Sequence, residues 1–452
     1  MTDILSPEVL ARYADARIPR YTSYPTAPHF STAIGEADYK SWLARLPHSP
    51  ASLYVHIPFC RAMCWYCGCH TTVAVRRAPV LQYLESLHRE IEIVARCADR
   101  AIAVSHVHFG GGTPTEMPAE QMGLTMQRLR DSFTFVDEAE IAIEVDPRTL
   151  SIEMAETLGS CGFNRASLGV QSFDANVQRA INRLQSFDET QSAVRALRAN
   201  GIKKINFDLI YGLPHQTVVS CLHTVEHALR LRPDRLAVFG YAHVPGFKLH
   251  QRKIVSAALP DSETRFAQSR AMAAALVREG YVEIGLDHFA LPDDPLAIAA
   301  AAGRLRRNFQ GYTTDEADVL IGLGASSIGR MPQGFVQNEV NIPHYQRLIG
   351  EGRLPIARGY RLKGDDRLRA AIIERLMCDH QVDLGVVSQG FGVNPADLMA
   401  SAQFEMLISD GLVKSDGTVL SVAPAARPLV RSIAAAFDAY LAASPERHSP
   451  AV

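Results

Sequence analysis

The sequence predicts an α/β fold: a partial (β/α)6 barrel with a mainly helical C-terminal domain. Three observations carry that expectation. Between residues 52 and 241, six short apolar runs alternate with loops and amphipathic helical stretches. Strand, helix, strand in that order is the mark of parallel βα units. The 452-residue length suits one large α/β barrel with attachments. Near residue 365 the pattern changes to closely spaced helical segments with an Asp-Gly hairpin signal among them.

In chain order, residues 1–35 are irregular and turn-rich, notably PRYTSYPTAPHF (19–30), and are expected to form an N-terminal extension over the barrel mouth. The barrel with its catalytic site is expected over 36–365. Its strands are read from SLYVHI (52–57), HVHF (106–109), IAIEV (141–145), ASLGV (166–170), INFDLI (205–210) and LAVFGY (236–241). Helices are expected over 79–98, 192–200 and 261–279, and IGLDHF (284–289) reads as one more strand. The C-terminal domain, 366–452, reads as helices over 366–378, 384–391, 395–410 and 424–442, with a β-hairpin at 414–422. No internal repeat or low-complexity block is evident.

Composition narrows the class. Hydrophobic residues make up 47% and charged residues 21%, an ordinary globular balance, and the net charge of −2 offers no bulk attraction to nucleic acid or anionic membrane. No apolar run is long enough to span a bilayer, and the N-terminus lacks a signal-peptide core. A cytoplasmic location is expected. Four of the eight cysteines fall within ten residues: Cys60, Cys64, Cys67 and Cys69. One tight cluster in a long chain reads as a metal site, not a disulfide scaffold.

Cys60-x3-Cys64-x2-Cys67 directly follows the first strand. Three thiolates suit three irons of a [4Fe–4S] cube and leave the fourth iron open. Zinc remains the competing reading, but it usually takes four ligands in two separated pairs, and no second Cys-x2-Cys pair exists here. Cys69 lies too close to Cys67 to reach another corner of the same cube easily. At the ends of later strands, where chemistry gathers in βα barrels, stand Gly110-Gly111-Gly112-Thr113, Glu144 and Gln171; Asp208 lies in the fifth strand and Ala242 follows the sixth. The glycine run lacks the Gly-Lys-Ser/Thr ending of a phosphate loop. Glu144 and Asp208 sit in apolar runs. Either they pair with Arg148, Arg165, Arg183 or a lysine, or they serve a ligand.

The cysteine spacing, with Tyr66 before the last cysteine, resembles the radical S-adenosylmethionine superfamily. Further motifs narrow the resemblance: PRYTSYPT (19–26), LYVHIPFC (53–60), FGGGTPT (109–115), IEVDPR (143–148), GVQSF (169–173), FDLIYGLPHQT (207–217), YAH (241–243), QRK (251–253), DHFALPDD (287–294) and RNFQGYTT (307–314). Together they resemble the oxygen-independent coproporphyrinogen III oxidases (coproporphyrinogen dehydrogenases) over nearly the whole chain. The resemblance implies anaerobic conversion of two propionates of coproporphyrinogen III to vinyl groups, giving protoporphyrinogen IX in haem biosynthesis. An adenosyl radical would take a hydrogen from the propionate β-carbon, and CO2 and an electron would follow.

It also implies a [4Fe–4S] cluster on Cys60, Cys64 and Cys67, and two molecules of S-adenosylmethionine. Tyr54, Gly111, Glu144 and Ile328 would contact the first. Tyr66, Gly112, Thr113, Gln171, Arg183, Asp208 and Ala242 would contact the second. Tyr54, Cys69, Glu144, Phe309 and Gln310 are the candidate catalytic residues. Candidate anchors for the substrate carboxylates are Arg17, Arg20, Arg252, Lys253, Arg306 and Arg307. The electron donor and acceptor are not named by the sequence, and a monomer is expected. A haem-binding carrier or chaperone on the same barrel is the alternative. Cys69, PRYTSYPT and RNFQGYTT favour the enzyme.

Overall fold

Each of the six apolar runs forms a strand of one sheet in the computed structural model, which describes residues 5–14 and 16–441. The strands are β1 (Ala51–Ile57), β2 (Ala103–Gly111), β3 (Thr134–Val145), β4 (Arg165–Gln171), β5 (Lys204–Tyr211) and β6 (Arg235–Gly240). Neighbours from β1 to β6 all pair in parallel. All but one residue of β1 is buried, as befits a strand covered on both faces.

Helices return the chain outside the sheet. Arg77–Arg96 buries Val80, Tyr83, Leu84, Leu87, Ile91 and Val94, a three- and four-residue spacing that draws one apolar stripe onto the sheet. Phe187–Ala199 starts at Ser186, whose hydroxyl accepts from the Glu189 N–H while the Glu189 carboxylate accepts from the Ser186 N–H. That reciprocal cap sets the start of the helix firmly. Ser262–Arg278 falls where the sequence places it.

The sheet extends beyond the six expected strands. On one edge lie β7 (Val282–Ile284) and β8 (His288–Ala290), on the other β9 (Leu320–Leu323), β10 (Ile328–Met331), β11 (Gly334–Asn338) and β12 (Ile356–Arg361). The order is β12-β11-β10-β9-β1-β2-β3-β4-β5-β6-β8-β7. β9 pairs in parallel with β1, a seventh parallel strand, although it lies far along the chain. The single strand expected at 284–289 is a turn between antiparallel β7 and β8. Gly285 has φ +57 there, and a Cβ would lie 2.1 Å from the Tyr312 ring, so both backbone and space demand glycine.

The C-terminal expectations hold in part. Asp366–Asp379 is helical, and Val413–Asp416 pairs with Val419–Val422 around Gly417, at φ +60. A third strand, Gln381–Asp383, joins that hairpin. The helix expected over 384–391 covers only Leu384–Val387. The one expected over 395–410 divides into Pro395–Met399 and Ala402–Ser409, because Ser401 leaves the helix and caps a new one through its hydroxyl. The one expected over 424–442 becomes a 3-10 turn, a short helix Val430–Ala434 and another 3-10 turn. Pro428 inside the first turn has no N–H to donate. The ends of the 1–35 and 366–452 segments, and the last residue of that helix, lie outside the described residues.

The N-terminal segment is tied to the C-terminal one. Tyr13, Ile18, Tyr21 and Tyr24 share an apolar cluster with Leu368, Leu376, Leu407 and Leu429, separate from the barrel core. Among the described residues no helix is long and apolar enough to cross a membrane.

Candidate active site

The loop after β1 carries the cysteines to the carboxyl ends of the strands. It is pinned there by backbone contacts: Trp65 N–H donates to Ile181 O at 2.9 Å, and Asn182 donates to Met63 O at 2.9 Å. Gln251 donates to Tyr66 O at 3.0 Å and to Ala242 O at 3.2 Å, while Lys248 donates to Cys69 O at 3.0 Å. The QRK motif therefore serves the cysteine loop. Lys253 lies over the Trp65 ring at 5.7 Å and Arg252 donates to Pro245 O, so neither lines the large cavity as a substrate anchor.

A cavity of about 320 Å³ brings together Cys60, Cys64, Tyr66, Cys67, Cys69, Gly111, Gly112, Thr113, Glu144, Gln171, Arg183 and Asp208. Among the described residues no three His, Cys, Asp or Glu side chains converge on the position of a single ion. The three thiols instead ring a cavity. Hydroxyls and guanidinium groups surround them. Thr71 donates to Cys60 Sγ at 3.2 Å, Thr113 Oγ1 lies 3.5 Å from the same sulfur, and Arg148 and Arg183 donate to Cys64 Sγ at 3.7 and 3.6 Å. Such donors offset the charge of sulfur ligands, although burial outweighs the two hydroxyls and leaves the Cys60 thiol raised. A hydrogen bond from Cys69 draws the Cys67 thiol down to about 7. The same bond, then the neighbouring charge, pushes Cys69 up.

The carboxylates are differently held. Glu144 Oε1 lies 3.2 Å from His108 Nε2, and Oε2 accepts from the Gly111 N–H at 3.2 Å. Gly111 has φ +118, and a Cβ would press 2.7 Å from His56, so only glycine aims its N–H this way. Burial pushes Glu144 up, but the His108 bond and the Gly111 N–H outweigh it and hold the carboxyl below its usual range. Its side chain is 38% exposed, and that exposure faces the cavity. Asp208 accepts only from Ser167, at 3.3 and 3.4 Å, and burial followed by the Glu144 charge pushes it up to about 7. The ion-pair alternative for these two groups fails among the described residues. Arg148 and Arg183 pair with Asp146 at 2.6 and 3.2 Å, and Arg165 pairs with Glu140 at 3.0 Å.

Gln171 is buried at φ +67 with Oε1 unpartnered. A bulky side chain held in the left-handed region costs about 1 kcal/mol or more, so the backbone there is fixed by its surroundings. Arg183 donates to Gly169 O at 2.6 Å beside it. Tyr54 stands just outside this cavity, with its ring stacked on His108. Its hydroxyl meets His56 Nδ1 at 3.0 Å, and His56 Nε2 lies 3.0 Å from His70 O. Burial lowers His56 to about 4, so it is neutral, donating to the carbonyl and accepting from Tyr54. Ile328 lines neither cavity. Its backbone lies against Gly322, which pairs with Tyr54 across β9 and β1.

A second cavity, about 800 Å³, adjoins through Cys69 and is lined by Ala242, Phe309 and Gln310. Phe309 and Gln310 form the turn between Arg306–Asn308 and Gly311–Thr313. Of the candidate anchors, Arg20 and Arg307 line this cavity; Arg17 does not, and Arg306 faces another cavity beside Glu374. Sequence reasoning missed His56, His108, Arg265 and Arg431. For the two histidines a signal existed, since His56 and His108 alternate with apolar residues on strands and must share a face with Tyr54 and His106.

Comparison with known proteins bears on the whole chain. Residues 54–228 match the radical SAM superfamily, and residues 362–429 match the HemN C-terminal domain. The oxygen-independent coproporphyrinogen III oxidase of Bradyrhizobium diazoefficiens is 56% identical over 98% of this chain and 99% of its own. That of Pseudomonas aeruginosa is 42% identical over 96% of this chain and 95% of its own. The solved structure of coproporphyrinogen III oxidase (HemN) from Escherichia coli, described as a radical SAM enzyme, superposes with a TM-score of 0.88 at 38% identity. It covers 97% of this chain and 100% of that one.

Proposed function

This chain belongs to the oxygen-independent coproporphyrinogen III oxidases of the radical SAM superfamily, and from that premise we propose how its residues divide the work. The reaction is the anaerobic oxidative decarboxylation of two propionates of coproporphyrinogen III to vinyl groups, in haem biosynthesis. Each conversion removes one β-hydrogen atom, one CO2 and one electron from a propionate, the electron passing to an acceptor that the sequence does not name. A haem-carrier role is not favoured, because the relatives matched along the full length are oxidases.

The residues present fit the group the family uses. Three thiols ring one cavity, Gln171 leaves a buried oxygen without a partner, and Glu144 turns toward open space. When bound, a [4Fe–4S] cluster with S-adenosylmethionine supplies a carbon radical able to take hydrogen from an unactivated carbon. Cys60, Cys64 and Cys67 would hold three irons. Arg148 and Arg183, beside Cys64, offset the charge of the thiolates. Glu144 and the Gly111 backbone, with Tyr54 and Ile328 behind them, would receive the amino and hydroxyl groups of a first S-adenosylmethionine. Tyr66, Gly112, Thr113, Gln171, Arg183, Asp208 and Ala242 would line the place of a second.

Cys69 is the single observation that carries this division, since it borders both the thiol-lined cavity and the larger one. It sits where a propionate in the larger cavity meets the radical source, with Phe309 and Gln310 on the substrate side. The test is anaerobic turnover of coproporphyrinogen III with S-adenosylmethionine and dithionite. Protoporphyrinogen should appear with CO2, and its absence from a preparation with full iron and sulfide content would overturn the reading.

A further inference from the structure

The larger cavity is built by all parts of the chain, and its lining is rich in positive charge. Arg20 comes from the N-terminal segment, Arg265 from the helix Ser262–Arg278, Arg307 from the hairpin after the barrel and Arg431 from the helix Val430–Ala434. Facing them are the carboxylates of Asp287 and Glu283, and Asp287 is already held by His288 at 2.7 Å.

Arg307 stands apart in this group. Its Nη2 donates to Arg20 O at 3.2 Å, and the guanidinium lies over the Tyr312 ring at 4.4 Å. Its Nε and Nη1 are buried without a hydrogen-bond partner. Leaving buried charged donors unmade is costly, and a planar fork of N–H groups matches a carboxylate with two parallel bonds. Burial, then Arg20 and Arg307, push Arg431 down to about 9. Arg20 and Arg307 therefore lie close enough to Arg431 to repel it, Asp287 offsets that repulsion only in part, and a further anion beside the unpartnered Arg307 N–H groups would relieve the rest.

Resting on the proposed function, we infer that Arg307, with Arg20 and Arg431, clamps a propionate of the tetrapyrrole that the enzyme retains rather than one that it removes. The reason is energetic. Decarboxylation discharges the carboxylate, so a clamp on the reacting group would bind the ground state better than the transition state and slow the step. A retained carboxylate keeps its charge throughout, and binding energy spent on it positions the rest of the macrocycle. Two of the four propionates survive the reaction, so such a group is always present. Arg307 is then a specificity-determining residue, and the barrel mouth recognises which edge of the macrocycle points away from Cys69.

The test is fluorescence titration of the full-length, cluster-loaded protein with three porphyrin probes in one detergent buffer: coproporphyrin III, protoporphyrin IX and coproporphyrin III tetramethyl ester. Arg307→Gln should weaken both free acids by about ten- to a hundred-fold, the loss of one charge-assisted bond pair, and leave the ester unchanged. Unchanged ester binding also shows that the variant is folded. Arg307→Lys should recover part of the loss, and Arg347→Gln, an exposed arginine paired with Glu351, should change nothing. Loss for coproporphyrin III but not for protoporphyrin IX would place the clamp on a reacting propionate and overturn the inference. Equal affinity of the wild-type protein for acid and ester would overturn it without any variant. Failure of the proposed function would show separately, as absent turnover in the wild-type protein.

Discussion

The two ends of the barrel interior use the same strands in opposite ways. At the amino ends, buried charges are matched to one another. Arg165 on β4 pairs with Glu140 on β3 at 3.0 Å, Arg235 on β6 pairs with Asp294 at 2.7 Å, and Asp315 accepts from Ser52 and lies 3.3 Å from His106. Four residues on along β3, among the described residues Glu144 has only a histidine and one backbone N–H, and on β5 Asp208 has only a serine hydroxyl. The arginines near that end are committed to Asp146 and Cys64. A half-buried carboxylate without a cation is still partly desolvated, which costs free energy unless it is hydrogen-bonded. One end of the barrel therefore consolidates the fold, and the other leaves its acceptors open, as the proposed binding of S-adenosylmethionine requires.

The largest expected effect is on the thiols. Cys60→Ser, Cys64→Ser and Cys67→Ser should each abolish cluster assembly, read as iron and sulfide content, with the thermal midpoint of the apoprotein kept. Normal iron in any of the three would remove the binding end of the comparison. Next in size is Arg235→Met at the consolidating end. It removes the nearer cation of the fully buried Asp294, leaving Arg165 at 3.7 Å, and should destabilise the fold by up to about 3–5 kcal/mol in denaturant titrations. S-adenosylmethionine affinity should be retained wherever the variant is folded.

Glu144→Ala should do the reverse, weakening S-adenosylmethionine binding by about 1.5–3 kcal/mol, measured by equilibrium titration, at unchanged iron content. A variant that instead unfolds would show that Glu144 belongs with the structural pairs. Cys69→Ser should keep a [4Fe–4S] signal in electron paramagnetic resonance, still shifted by S-adenosylmethionine, while decarboxylation falls. Loss of the cluster would make Cys69 a ligand, and full turnover would make it a bystander.

The last effect is the one whose sign matters most. Asp208 is raised to about 7 by burial and then by the Glu144 charge. An unfolded aspartate titrates near pH 4, so between about pH 4 and 7 the folded chain holds a proton that the unfolded chain has lost. Stability from this group is therefore complete below about pH 4 and lost as pH rises toward 7. Asp208→Asn, which carries no charge, should raise the ligand-free unfolding midpoint more at about pH 8 than at about pH 5. An equal gain at both would mean that packing, not charge, limits that end.

Much of this was legible in local pattern. The six barrel strands and the helix Ser262–Arg278 follow from periodicity, because a segment buried on one or both faces must repeat its apolar residues. The C-terminal helices were less legible. Pro428 and Ser401 divide segments whose composition alone reads as continuous helix. β9 carried no signal of its destination, since pairing with β1 is a contact between distant parts of the chain. In the site, the cysteines, glycines and strand-end carboxylates were visible as residue types at meaningful spacings. Arg431 was not, because it lies in a short helix with nothing local to tie it to the cavity.

The sequence by itself determined the candidate groups: three thiols at cluster spacing, a glycine run one strand later, and carboxylates within apolar strands. These are local facts, set by covalent neighbours and by the period of a strand. Only the tertiary structure decided which charges were already used. Arg148, Arg165 and Arg183 were equally plausible partners for Glu144 and Asp208 in the sequence, and the fold gives them to Asp146, Glu140 and Cys64 instead. Pairing of buried charges depends on distances of a few ångströms between strands, and the packing of the whole barrel fixes those distances.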